Sequence, residues 1–156
     1  MEVFQELSSE AFFYDIITTA LGRLQVDTTE HTEYYLVGLL ESYARDERSI
    51  PSAPLALMLL GPSDPAARTL NLKEVGDTSL IVTGFFPEAI KNTLVNTEYY
   101  VGLGRVAYRE LSGRLSLSAL SAVYEELSVE FNKFIEVLAA ARSLVRTNSG
   151  VIHNSY

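Results

Sequence analysis

The sequence predicts an all-α fold: an antiparallel bundle of five or six helices with a long C-terminal heptad helix. Two observations carry that expectation. Apolar residues recur every three or four positions in several separate segments, the spacing of a helix face. No segment has the alternation, bounded by turn residues, that marks a β-hairpin.

Residues 9 to 26 form the first expected helix. Phe12, Phe13, Ile16, Ile17, Ala20, Leu21 and Leu24 share a face, and Ser8 or Ser9 can cap it. Residues 2 to 7 read equally as a short helix or an arm. Asp27-Thr28-Thr29-Glu30 has the form of a capping box and opens a second helix over 28 to 46, with Tyr35, Leu36, Leu39, Leu40 and Tyr43 inward. Ile50 to Pro54 breaks regular structure, and the apolar run Leu55 to Leu60 reads by spacing as a buried strand or a short buried helix, Leu, Ala and Met favouring the helix, closed by Gly61-Pro62.

Asp64-Pro65 is a helix start, cap then first-turn proline. Leu72, Val75, Ser79, Val82 and Phe86 mark one face, Gly76 weakens the helix by about 1 kcal/mol relative to alanine, and Gly84 is expected to close it. Pro87 opens a helix expected to run to Leu111, with Ile90, Leu94, Thr97, Val101, Gly104 and Tyr108 in four-three spacing. After Gly113 and Ser116, a last helix is expected over 117 to 146. Leu120, Tyr124, Leu127, Phe131, Phe134, Leu138, Ala141 and Val145 keep the heptad spacing, over roughly 45 Å. Residues 1–146 are thus expected to be a single helical domain and 147–156 a flexible tail.

One string occurs twice. Thr32-Glu33-Tyr34-Tyr35 returns as Thr97-Glu98-Tyr99-Tyr100, and at the same offset Tyr43 falls on Tyr108. Six of the nine tyrosines lie in these copies. A repeated polar-aromatic unit implies two helices with one physical job, related by an approximate two-fold axis.

Composition narrows the function classes. The chain has 156 residues, a formal charge of −8 and no cysteine. Without cysteine there is no disulfide, thiolate zinc site or thiol nucleophile, in keeping with a cytoplasmic location. Nucleic-acid binding needs a basic face, whereas Arg105, Arg109 and Arg114, and Arg142 and Arg146, each have acids nearby. No apolar run approaches the ~20 residues of a membrane helix. The acidic N-terminus lacks the basic region of a secretory signal.

Candidate chemistry is sparse. Gly102-Leu103-Gly104-Arg105-Val106-Ala107 satisfies the spacing of a dinucleotide turn, but that motif works only between a strand and a helix. Here the small residues are expected to let two helices approach. A carboxylate-bridged metal site needs Glu-x-x-His pairs, and neither His31 nor His153 has one. No nucleophile elbow surrounds any serine. Among the acids, Asp77 is expected to be internal, paired with an arginine or with a hydroxyl of Thr78, Tyr34 or Tyr99, while Lys73 and Glu74 face solvent. No metal or cofactor is expected.

Leu72-Lys73-Glu74-Val75-Gly76-Asp77-Thr78-Ser79-Leu80, followed by Gly84-Phe85-Phe86-Pro87-Glu88, resembles the central signature of an uncharacterised family of bacterial proteins. Glu33 to Val37 and Tyr99 to Gly102 are similar to its flanking motifs. The resemblance implies bacterial, cytoplasmic origin and brings no activity or site residue with it.

The expectation for function is a non-enzymatic helical interaction or structural protein, homodimeric, with the long heptad face as either a dimer seam or an internal core face, since both show the same spacing. The alternative is a small-molecule-binding or sensory module. Its pocket would lie between the two Thr-Glu-Tyr-Tyr helices and be lined by Glu33, Tyr34, Tyr35, Asp77, Glu98, Tyr99 and Tyr100.

Overall fold

A computed structural model describes residues 2–46, 61, 64–91 and 95–154. Among them are seven helices and no strand, so the fold is all-α as the spacing predicts. The helices are α1 (Glu2–Leu24), α2 (Glu30–Asp46), α3 (Pro65–Gly84), α4 (Glu88–Lys91), α5 (Thr97–Arg114), α6 (Leu120–Val129) and α7 (Phe131–Asn154). The expected buried helix at 55–60 lies outside the described residues.

The helices divide between two compact units. The first contains α1, α2 and α7 from Glu136 onward; the second contains α3 to α6 and α7 up to Ile135. In the first unit α1 packs against α2. Phe13, Ile16, Ile17, Ala20 and Leu21 of α1 are buried, as are Leu36, Val37, Leu39, Leu40 and Tyr43 of α2. Residues 2 to 7 extend α1 by nearly two turns. The helix ends without glycine. Gln25 takes a left-handed φ of 54°, Gln25 N–H donates to Gly22 O at 3.2 Å and Val26 N–H to Leu21 O at 3.0 Å, the paired bonds of a Schellman end. The capping box expected from Asp27 and Glu30 does not form at the start of α2. Thr29 caps the helix instead, its hydroxyl accepting from Thr32 N–H at 3.2 Å, and the side chain of Glu30 belongs to the first turn.

In the second unit α3 is the central element. Asp64 caps it as expected, accepting from Ala67 N–H at 3.0 Å, with Pro65 in the first turn. Every residue from Val75 to Gly84 is buried, so this stretch is covered on all sides rather than along one stripe. Gly84 is the last helical residue but does not make the left-handed turn expected of it. Phe85 follows at φ −101°, and both Phe85 and Phe86 N–H donate to Ile81 O.

Two expected helices are each broken in two. The run from Pro87 to Leu111 is not helical at Val95 and Asn96; the Asn96 side chain accepts from Tyr99 N–H at 3.0 Å and starts α5 afresh. The C-terminal run starts at Leu120 rather than 117 and breaks at Glu130 (φ −104°, ψ 29°). Hydrogen bonds bridge the break on both sides: Glu130 N–H donates to Glu126 O, and Phe134 N–H to Glu130 O. The apolar phase therefore continues across it, which is why spacing alone did not reveal it. Beyond Arg146, where a tail was expected, the backbone of α7 stays helical to Asn154.

The α3–α5 contact is made by glycines. A Cβ at Gly76 would lie 2.6 Å from the Tyr108 ring, and one at Gly104 would lie 2.5 Å from the Phe131 ring and 3.0 Å from Ser79 Cβ. The helices run antiparallel, since Gly76 meets Tyr108 while Ser79 meets Gly104. Helices α5 and α6 are joined by two reciprocal serine bridges. Ser112 and Ser121 each donate a hydroxyl to the other's carbonyl at 2.9 Å. Farther along, Ser128 Oγ donates to Arg105 O at 2.9 Å while Arg105 Nε donates to Ser128 O at 3.0 Å.

Gly104→Ala is expected to destabilise the protein by about 1–3 kcal/mol, because the fully buried Phe131 has nowhere to move. Gly102→Ala, two residues away on the same helix with nothing within 4 Å, is expected to stabilise by about 0.5–1 kcal/mol. Chemical denaturation of the two variants checks the contrast.

Candidate functional site

Three clusters of polar or aromatic side chains stand out. The first is buried in the second unit. Asp77 is 2% exposed. Its Oδ1 accepts from the Tyr108 hydroxyl at 2.8 Å and its Oδ2 from Lys73 Nζ at 2.6 Å. Asp77 is internal as expected; Tyr108 and Lys73, which hold its two oxygens, were not among the partners expected. Tyr108 lies beside α3 because Gly76 makes room for its ring. Lys73, one turn before Asp77, brings its ammonium down from a half-exposed position. The Tyr108 ring also stacks on Tyr124, with centroids 5.6 Å apart and 19° between planes, and lies 6.1 Å from Phe131. Asp77 is thus engaged in holding α3 to α5, and the buried carboxylate is balanced by a cation and a hydroxyl. Nearby, Ser79 Oγ is buried with no hydrogen-bond partner. The Ser79 Cβ lies against Gly104, a place set by close helix approach rather than by polarity.

The second cluster also joins α3 to α5. Arg68 donates to Glu110 through Nε at 2.9 Å and Nη2 at 3.1 Å, and Arg114 Nε donates to the same carboxylate at 3.0 Å. The Arg68 hydrogen bond, with Arg114 adding to it, holds the Glu110 carboxyl below its usual range. Arg68 is raised in turn by that bond. The forked geometry is that of a structural ion pair.

The third cluster lies in the first unit and is open to solvent. Tyr14 of α1 and Tyr34 of α2 sit with ring centroids 5.7 Å apart at 32°; they are 36% and 51% exposed. They line an open depression of about 340 Å³ together with Glu10, Ala11, Asp15 and Val37. Helical spacing builds it: Glu10, Ala11, Tyr14 and Asp15 occupy one stripe of α1, and Tyr34 and Val37 one stripe of α2. The Tyr14 phenol is raised above its usual value, chiefly by the charge of Glu33, with smaller contributions from desolvation, Tyr34, Glu30 and Asp15. Those carboxylates set a negative field at the rings.

The predicted site residues are distributed between the units. Glu33, Tyr34 and Tyr35 lie on α2 of the first; Asp77 lies on α3, and Glu98, Tyr99 and Tyr100 on α5, of the second. Glu33 and Tyr35 are half-buried and Glu98 is exposed. Tyr99 and Tyr100 meet edge to face, centroids 5.6 Å apart. Within the units the structure brings Tyr34 to Tyr14 and Asp77 to Tyr108, neither of them in the predicted set. Tyr108 was visible as the repeat partner of Tyr43 and as an inward position of its helix, but not as a partner of Asp77. Tyr14 had no signal, because its role depends on how α1 meets α2.

Gly102 and Gly104 are inside α5, and no strand precedes them among the described residues, so they do not form a dinucleotide turn. No group of three His, Asp or Glu able to hold a metal occurs among the described residues. No helix there is long and apolar enough to cross a membrane. Comparison of the chain with protein-family models, curated proteins and solved structures finds no match.

The Asp77–Tyr108 bond is expected to behave as a coupled pair. Asp77→Ala and Tyr108→Phe should each cost about 1–3 kcal/mol, and the double variant should cost less than their sum by about 1 kcal/mol or more. Additive losses in a denaturation cycle would show the two groups to be independent.

Glu110 sets an acid dependence. Its folded-state carboxyl is held low, so its contribution is complete above the ordinary carboxylate pKa and is lost as pH falls through the folded value. Glu110→Gln is expected to cost about 1 kcal/mol or less at neutral pH, given its partial exposure. The gap from the parent protein should shrink below about pH 4, as measured by urea unfolding across the acid range.

Proposed function

We propose that this chain is a non-enzymatic helical protein that works by contact with another macromolecule, through the α1–α2 face around Tyr14 and Tyr34. The observation that supports this reading most directly is the contrast between the clusters. The carboxylates of Asp77 and Glu110 are committed to holding helices together. The Tyr14–Tyr34 pair holds large rings at the surface beside an apolar wall, the composition of an interface anchor.

The expectation of a homodimer rested on the C-terminal heptad face. Tyr124, Leu127, Phe131, Phe134, Leu138 and Ala141 on that face are each no more than 2% exposed within the single chain. A two-fold seam there would require these side chains to leave their own core. The contact proposed is therefore placed on the exposed α1–α2 face rather than on the heptad face. The alternative of a small-molecule module is less well supported, because a ligand pocket encloses most of its guest and this depression leaves both rings open to solvent.

A photo-reactive residue in place of Tyr34 is expected to capture one discrete protein in extracts of the source cells. The same residue in place of Leu70, 69% exposed on α3, should not capture it. Conjugates at Leu70 alone would remove the α1–α2 face from consideration, and none at either position would count against a contact protein.

A further inference from the structure

We propose that the Tyr14–Tyr34 depression receives an arginine side chain of a partner protein; this rests on the contact reading above and adds the chemistry of what is contacted. The rings lie 5.7 Å apart at a shallow 32° angle. They already touch one another, so a guest cannot be sandwiched between them and must lie on their outer, solvent-facing surfaces. A planar cation fits such a surface by stacking. The half-exposed ring of Tyr34 offers the larger open area.

The surroundings favour positive charge on both the α1 and the α2 side. Glu10 and Asp15 are in the lining on the α1 side. On the α2 side, the charge of Glu33, with a smaller contribution from Glu30, raises the Tyr14 phenol above its usual value and so disfavours negative charge there. Ala11 and Val37 supply an apolar surface between the charged groups, against which the methylene stem of a long cationic side chain can lie while its head remains over the rings. A carboxylate or phosphate guest would meet repulsion at the same place. An uncharged aromatic guest would use the rings but gain nothing from the acids. Among protein side chains, arginine combines a flat, weakly hydrated cation with an apolar stem; lysine brings the charge without the plane. The chain's net charge of −8 adds long-range attraction for a basic partner.

The test uses the full chain and three otherwise identical short peptides that carry arginine, lysine or citrulline at the same positions, titrated by calorimetry. Citrulline keeps the planar shape of arginine and removes its charge. The expected order is arginine tightest, then lysine, then citrulline. Tyr14→Ala and Tyr34→Ala should each weaken the arginine peptide by about three- to fivefold, whereas Tyr14→Phe and Tyr34→Phe should stay within about twofold, because the ring face rather than the hydroxyl makes the contact. Glu33→Gln and Asp15→Asn should weaken binding and flatten its dependence on salt. Unchanged circular dichroism and melting temperature of each variant would keep folding out of the comparison. Equal binding of the citrulline peptide would overturn the cation assignment while leaving the face as a docking surface. Arginine-peptide binding indifferent to both ring truncations would reduce the effect to general attraction by an acidic chain, and overturn it too. Absence of arginine-peptide binding, with the Tyr34 photo-conjugate still formed, would separate failure of this inference from failure of the contact reading.

Discussion

The second unit depends on how closely α3 approaches α5. Two seats without a Cβ make the approach possible: Gly76 under the Tyr108 ring, and Gly104 against Ser79 and the Phe131 ring. Each helix supplies one seat and one occupant to the other. Once the backbones are that near, the Tyr108 hydroxyl reaches Asp77, and a buried carboxylate becomes tolerable because its desolvation is offset by a hydroxyl and the Lys73 ammonium. The same contact places Phe131, the first residue of α7, against α5. Glycine's cost in helix propensity is therefore accepted at the two positions where side-chain volume would do more harm. It is a plain loss at Gly102, which faces open space.

Much of the helical content was legible because amphipathic spacing survives local accidents. Most inward residues of α1 and α2 were legible from spacing, although Leu24, placed on that face, is 40% exposed and Val37, left off it, is buried; the Asp64-Pro65 start of α3 was legible from local chemistry. The breaks were not legible for the same reason in reverse. At Glu130 the hydrogen bonds continue across the irregular residue, so the heptad phase carries no trace of it. At Asn96 a legible signal existed, an N-cap residue three positions before Tyr99 N–H, but the continuous four-three spacing from Ile90 onward masked it. The end of α1 shows a further kind of miss. Gln25 occupies a left-handed position usually given to glycine, and nothing in its chemistry announces that.

The site was less legible than the fold. Asp77 was identifiable as internal because an acid surrounded by apolar and small residues on a helix has few other places to go. Its partners were not identifiable, since Tyr108 comes from a helix thirty-one positions away and arrives only because Gly76 admits its ring. The Tyr14–Tyr34 pair is tertiary in the same sense. Each residue alone is an ordinary exposed tyrosine, and only the meeting of α1 with α2 makes them a surface.

The duplicated string makes the general point. Thr32 to Tyr35 and Thr97 to Tyr100 are identical, and both fall near a helix start, which supports the expectation of a shared local structure. Yet the caps differ. Thr29 precedes Thr32 by three residues, while Asn96 directly precedes Thr97, so the second copy sits about two residues nearer its helix end. Two residues turn a helix by roughly 200°. Consistent with that rotation, Thr32 is buried and Thr97 exposed, while Tyr34 is exposed and Tyr99 half-buried. Tyr34 meets a tyrosine of another helix, and Tyr99 meets its own neighbour. Side-chain identity was repeated, but helical phase was not, and phase decides which face a ring occupies. On the contact reading proposed above, the functional weight falls on the copy whose phase leaves a ring in the open beside a second one, with carboxylates around it.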